Sequence, residues 1–423
     1  MENQKFFIKG LDGQRVLSGK IDVMGAKNAA LKVFAASILF DDSIQIDNVP
    51  IIEDIARMRE LLSRLGVRTE QTAERSFRLK PLFPLNTDLP DEIAKKLRSS
   101  IVLTGPILAK EGRVSFPHPG GCVIGERPID IFLEGFEKMG AEVKTIDRRY
   151  VISADRLRPA EIVFKAPSVT ATETLMMAAV LIPGETILHN AACEPEIVAL
   201  ADFLNESGAN IKGAGSHTIA IKGVDSLKAE KPYQTPADRI EAGSFAILAA
   251  ICGKDIEIAG CRPEHLKVFL RVLKNIGVEI EEAKNSIRVK KSGNLRAINI
   301  KTAEYPGVPT DLQSPLSVLL TQANGKSLIF ETIFEGRLDY LNELSRMGAD
   351  VTVCDPHRAI ISGPSGLRGR EMESPDLRAG LAFIIAALVA KGKSIIHNVY
   401  NIDRGYERIE ERLRQLGADI KRI

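Results

Sequence analysis

The stretch PGGCVIGERPID, residues 119–130, sets Cys122 behind a glycine pair and ahead of Arg127. Prolines and glycines on both sides rule out a helix or a central strand, so the thiol belongs on a loop. Cations gathered around a thiol lower its pKa and enrich the thiolate, and a glycine pair lets the loop move as a lid. Against this stands the commoner fate of a lone cysteine, that of a small buried hydrophobe. Further polar residues stand at or just before long apolar runs: Lys27 with Asn28, Arg98, Ser168, Arg239 to Glu241, Asp311 and Arg378. Ordinary N-capping accounts for Ser168 and Asp311. It does not account for Lys27, Arg98 or Arg378, because a cation at a helix start opposes the helix dipole. Six helix N-termini facing one cleft, each with unpaired N–H groups, would suit an anionic ligand.

Several other chemistries drop out. GKS occurs at Gly325–Ser327 and Gly392–Ser394, but the glycine a P-loop needs five residues earlier is Leu320 in one case and Ala387 in the other. A GxGxxG pattern begun by Gly213 and Gly215 ends at Thr218, and no GxSxG nucleophile elbow occurs. Cys354 with His357 is the nearest approach to metal spacing; no second pair accompanies it, so no metal site is expected.

The elements that must position these residues show a repeat. A helix-ending glycine, in RLGV, KMGAE, ESGAN, NIGVE, RMGAD and QLGAD, falls at Gly66, Gly140, Gly208, Gly277, Gly348 and Gly417, with successive spacings of 74, 68, 69, 71 and 69. Each unit reads as an apolar, Ala-rich helix such as SVTATETLMMAAVL, a turn, a short alternating strand such as ETILHN or KSIIHN, a loop and an amphipathic helix. In the last unit Tyr406, Ile409, Leu413 and Leu416 are expected on one helical face. A helix apolar all round must be buried on all sides, so strands are expected to cover a helical interior. The fold expected is an α/β, two-domain, inside-out barrel of six repeats of about 70 residues, three per domain. The expected domains are 27–235, carrying the Cys122 loop, and 1–26 plus 236–423, carrying Asp311 and Arg404, with the active site in the cleft between them. Two chain crossings, near Lys27 and near Pro236, are what a hinge-closing enzyme needs.

At 423 residues the chain is long enough for two domains. Its 57 Lys and Arg nearly balance 55 Asp and Glu, with no long run of one sign, which leaves no electrostatic footprint for nucleic acid. No apolar run approaches the roughly 20 residues of a membrane span, and the start lacks a signal-like core. Five scattered cysteines in a chain this size read as reduced thiols in the cytoplasm.

The segments GAKNAALK (25–32), LRSSI (97–101), PGGCVIGERPID, PSVTATE (167–173), PADRIEAG (236–243), PTDLQ (309–313), FEGRLDYLNELSRMGAD (334–350), DLRAG (376–380) and DRGYERIEERLRQLGAD (403–419) together resemble the enolpyruvyl transferase family. The likeness runs from about residue 8 to the C-terminus in order, and points to the family's UDP-sugar branch. It implies transfer of the enolpyruvyl group of phosphoenolpyruvate to the 3′-hydroxyl of UDP-N-acetylglucosamine with release of phosphate, by addition and elimination, without metal or organic cofactor. That is the first committed step of peptidoglycan precursor synthesis. By the same resemblance the catalytic residues are Cys122, the general acid and reactive thiol, Asp311, which acts on the attacking hydroxyl, and Lys27 and Arg404. Lys27, Asn28, Arg127, Arg378 and Arg404 hold phosphoenolpyruvate. Arg98, Arg127, Pro128, Ile129, Asp130, Ile131, Ser168, Val169, Asp311 and Ile333 line the UDP-sugar, with Arg337 at a cleft position. The implied partners are these two small molecules, with no nucleic acid or membrane, on a monomer or weak oligomer. Thr170 stands where many relatives have glycine, Ala166 where some carry a basic residue, and Phe132 where a histidine is common; Lys165 is not assigned to the diphosphate. The shikimate branch is disfavoured because it lacks the cysteine loop and the ERPID segment.

Overall fold

The computed structural model describes residues 4–118, 124–125 and 128–423. Cys122 and Arg127 lie outside the described residues. The described chain divides into two units, one of residues 4–24, 124–125 and 237–423 and the other of 25–118 and 128–236. Hydrogen bonds secure both chain crossings inside each unit: Asp238 N donates to Met24 O at 2.9 Å in the first, and Ala26 N to Pro236 O at 2.6 Å in the second. Gly25 follows the crossing because a Cβ there would lie 1.8 Å from the carbonyl oxygen of Asn48.

The described residues form six sheets, three in each unit. Five have four strands, and each of these joins three antiparallel strands to one parallel edge strand. The sixth has three antiparallel strands, Arg113–Pro117, Glu142–Ile146 and Arg149–Ser153, and only a parallel bridge between Asp88 and Ser115 where the edge strand would stand. In the first unit Phe6–Lys9 pairs antiparallel with both Lys393–His397 and Asp419–Arg422. Leu17–Asp22 runs parallel to Gly253–Ala259 in a neighbouring sheet of the same unit.

All six glycines of the repeat take positive φ, between 89° and 104°, a region that costs glycine no Cβ clash and stops the helix before the next strand. The apolar helices are interior. Every residue of Arg239–Cys252 and of Leu377–Val389 is buried, as is Ala171–Ala179 of the Val169–Ala179 helix. Amphipathic helices bury one face only: Lys267–Ile276 buries Phe269, Leu270, Leu273 and Ile276. The last one departs from expectation. Its helix is Ile409–Gln415, because Arg408 is left-handed at φ 41°, and Tyr406 enters the core from the preceding turn. Tyr406 is still 1% exposed, but it is aimed at polar groups and is no part of a helical stripe. No helix among the described residues is long and apolar enough to cross a membrane.

Candidate functional site

In the first unit the site grows from Asp311. Pro309 is extended, and Thr310–Leu312 forms a 3-10 turn that feeds the buried helix Gln313–Leu320. Asp311 lies inside that turn, whose N-cap is Pro309, and so does not stand at the N-cap position expected of it. Its carboxylate accepts from Arg337 Nη2 at 2.9 Å on Oδ1 and from Arg378 Nη2 at 2.8 Å on Oδ2. Both guanidiniums are buried while the Asp311 side chain keeps 28% exposure, so the carboxylate is held on both oxygens and still reaches the surface.

Arg378 stands second in the helix Leu377–Val389. Asp376 caps that helix, accepting from the backbone N–H of Arg378 at 2.6 Å and of Ala379 at 3.0 Å. The two aspartates offset a cation that would otherwise oppose the dipole. Burial is the largest influence and works against the Arg378 charge, but Asp311, Tyr406 and Asp238 together outweigh it and hold the guanidinium above its ordinary pKa. Arg378 Nη1 also donates to the Tyr406 hydroxyl at 3.2 Å, which lies 3.2 Å from Ser244 Oγ on the helix Arg239–Cys252. Burial pushes the Tyr406 phenol up, so it stays neutral. One polar chain, Arg337, Asp311, Arg378, Tyr406, Ser244, thus links the three mutually packed interior helices of this unit. Arg404 follows the short helix Tyr400–Asp403, partly buried and two residues before Tyr406.

In the second unit the expected residues fall at the starts of interior helices. Lys27 opens the helix Lys27–Ala36, and its Nζ lies 2.7 Å from Oδ2 of the buried Asp54, in the first turn of Glu53–Leu65. That carboxylate offsets a cation at its own helix start. Asn28 is next, partly buried. Arg98 opens the 3-10 turn Arg98–Leu103, which packs against both Lys27–Ala36 and Val169–Ala179. Ser168 caps Val169–Ala179, accepting from Ala171 N at 3.2 Å, and Val169 is partly buried. Of the uridine segment, Pro128 is exposed, Ile129 is buried, and Asp130 and Ile131 begin the helix Asp130–Lys138. The structure therefore gathers Asp311, Arg337 and Arg378 in one unit and sets Lys27, Asn28, Arg98, Ser168 and Val169 on packed helix starts in the other.

Residues 11–413 match the EPSP synthase (3-phosphoshikimate 1-carboxyvinyltransferase) family. The chain belongs to the EPSP synthase family. Proteins named UDP-N-acetylglucosamine 1-carboxyvinyltransferase are similar to it: one from Halothermothrix orenii is 44% identical, covering 99% of both chains, and one from Magnetococcus marinus is 44% identical, covering 97% of this chain and 98% of the relative. Among solved structures, the enolpyruvyl transferase NikO from Streptomyces tendae superposes with a TM-score of 0.89 at 23% identity, over 100% of this chain and 99% of that one. EPSP synthase from Acinetobacter baumannii gives 0.76 at 20%, over 99% and 100%. These two show the fold: a mixed α/β chain with the two-domain architecture of EPSP synthase family enzymes. The chain is an enzyme of that family.

Sequence reasoning missed one positioning group. Glu331, fully buried, accepts from Thr310 Oγ1 at 3.0 Å and from the backbone N–H of Ile333 at 2.9 Å and Phe334 at 3.3 Å. It ties the residue before Asp311 to the loop bearing Ile333 and Arg337. The only trace in the sequence is an acid directly after an apolar strand. Glu331→Ala, which strands these donors, is expected to cost about 3 kcal/mol in urea unfolding, and a loss below about 1 kcal/mol would show that the carboxylate does not hold the loop. Lys165, not assigned to the diphosphate on sequence grounds, pairs its Nζ with Asp130 Oδ2. The hydrogen bond to Asp130 holds its ammonium above the ordinary lysine value. Phe132 is core: it lies edge-on to Phe136 at 6.1 Å and tilted against Phe116 at 6.4 Å. Among the described residues no group of three or more His, Cys, Asp or Glu could hold a metal ion.

Proposed function

We propose that this enzyme transfers the enolpyruvyl group of phosphoenolpyruvate to the 3′-hydroxyl of UDP-N-acetylglucosamine, the entry step of peptidoglycan precursor synthesis in the cytoplasm. The observation that carries the reading is the Asp311 carboxylate, held by two buried arginines and itself partly exposed, in a chain 44% identical to relatives bearing that activity in their names. In this proposal Lys27, Asn28, Arg127, Arg378 and Arg404 meet the carboxylate and phosphate of phosphoenolpyruvate. Arg98, Arg127, Pro128 to Ile131, Ser168, Val169 and Ile333 meet the nucleotide sugar.

In the addition step the sugar oxygen bonds to C2 of phosphoenolpyruvate, its proton passes to Asp311, and the Cys122 thiol protonates C3. The fixed cations stabilise the charge on phosphate and carboxylate. In the elimination step C3 gives up a proton, the C2–O bond to phosphate breaks, and inorganic phosphate leaves. No redox partner is needed, and the proposal includes no metal, cofactor, nucleic acid or membrane partner, on a monomer or weak oligomer. The reading makes Cys122 the target of fosfomycin, an epoxide that mimics phosphoenolpyruvate.

Acceptor choice is tested by phosphate release from phosphoenolpyruvate. Release with UDP-N-acetylglucosamine and none with shikimate 3-phosphate is expected; the reverse pattern would move the chain to the shikimate branch, and release with neither would make it a binding protein.

A further inference from the structure

Lys32 and Glu173 lie in the interior of the second unit, 6% and 0% exposed, with Lys32 Nζ 2.5 Å from Glu173 Oε2. Neither belongs to the residues assigned above. Lys32 follows Asn28 by four residues on Lys27–Ala36, and Glu173 follows Val169 by four on Val169–Ala179. Residues four apart share a helix face, so the pair sits one turn below both substrate-facing ends.

Stability does not explain it. Burial outweighs the attraction of Lys32 and pushes the Glu173 carboxyl up to about 7, with Glu196 and Glu194 at the start of the Pro195–Glu206 helix adding to the rise. The buried Tyr233 phenol, on the strand Tyr233–Gln234, is itself pushed up, chiefly by burial and then by Glu196, Asp202 and Glu173. The pair therefore carries the repulsion of further acids on Glu173, in a region where apolar side chains of similar volume would serve folding at least as well. A pair that costs stability and joins two particular helices has a geometric use.

We propose that the Lys32–Glu173 ion pair is a positioning element for the reaction, clamping the first turns of Lys27–Ala36 and Val169–Ala179 and so fixing Lys27 and Asn28 relative to Ser168 and Val169. The inference rests on the function proposed above. Neither residue touches substrate; both act through the helix starts. The clamp exists as an ion pair only when Glu173 is ionised, so it engages as pH rises through about 7.

The test is phosphate release by the full chain between pH 5.5 and 8.5, read as the ratio of wild type to Glu173→Gln. The ratio is expected near one at pH 5.5 and about tenfold at pH 8.5, carried by kcat with both KM values little changed, as a small misplacement of two bound reactants predicts. Lys32→Arg should restore most of the activity that Lys32→Met loses. The double exchange Lys32→Met with Glu173→Leu should melt no lower than wild type and still lose about tenfold at pH 8.5. A ratio that is flat with pH, or a double exchange as active as wild type, overturns the clamp. If the wild type itself releases no phosphate, the functional reading fails on its own. Hydrogen exchange at the two helix starts then decides the clamp: faster exchange in Glu173→Gln than in wild type at pH 8.5 and equal rates at pH 5.5 uphold it, and equal rates at both overturn it.

Discussion

Asp311→Asn is expected to lower the kcat of phosphate release by about 10³-fold, within the range by which a general base contributes. The amide keeps the shape of the side chain and removes the group that takes the sugar proton. It also removes the negative charge that Arg337 and Arg378 share, and turns an N–H₂ toward one guanidinium. Two buried cations left facing each other should cost about 3 to 5 kcal/mol of stability, visible in urea unfolding. Asp311→Glu separates the two effects. It restores the charge and most of the stability, but a carboxylate one methylene out of place should recover only part of the rate. Turnover of Asp311→Asn within about tenfold of wild type would mean that the base is another group.

Cys122→Ser is expected to depress turnover by at least about 10³-fold, since a serine hydroxyl is a far weaker acid than a thiol and cannot protonate C3 at useful rates. The companion measurement is the site of alkylation by fosfomycin, mapped by mass spectrometry. Burial pushes the Cys252 thiol up to about 12 and the Cys261 thiol up to about 11, so neither offers much thiolate at pH 8. Cys193 is nearly buried, 3.6 Å from His217 Nδ1, and burial together with Glu194 pushes it up as well. Cys354 is exposed and serves as the internal control. Cys122 should be modified well ahead of Cys354; equal modification of all five thiols would remove the activated-thiol reading.

The pH dependence of stability offers an independent check on Glu173. Its folded carboxyl titrates near 7 against an ordinary value of 4.5, so the fold favours the protonated form. That contribution is complete below about 4.5 and is lost as pH rises through about 7. Relative to Glu173→Gln, the wild type should therefore lose melting temperature between pH 5 and pH 8.

Much of the architecture could be read from short-range pattern. The six glycines are helix stops because the αL region is cheap for glycine alone, a property of one residue and its immediate neighbours. The apolar runs are interior for an equally local reason: Arg239–Cys252 and Leu377–Val389 have no polar face to give to water. Ser168 caps its helix as its type requires. Cys122 is proposed on flanking glycines and a nearby cation alone, and lies outside the described residues.

Partner choice was a different matter. Asp311 looks like a cap from its neighbours and is instead held by Arg337, 26 residues away, and Arg378, 67 away. Lys27 at a helix start makes no local sense until Asp54 is seen beside it, and Lys165 gains its place only through Asp130. Tyr406 continues an apolar periodicity on paper, yet the left-handed Arg408 cuts the helix and turns the phenol toward Arg378 and Ser244. Glu331 and the Lys32–Glu173 pair carry no periodicity at all. Hydrophobic burial and backbone propensity act on each segment by itself, and so leave their mark in the order of residues. Which charge meets which across packed helices depends on ångström distances that chain order does not encode locally, and desolvation then sets what each pairing is worth.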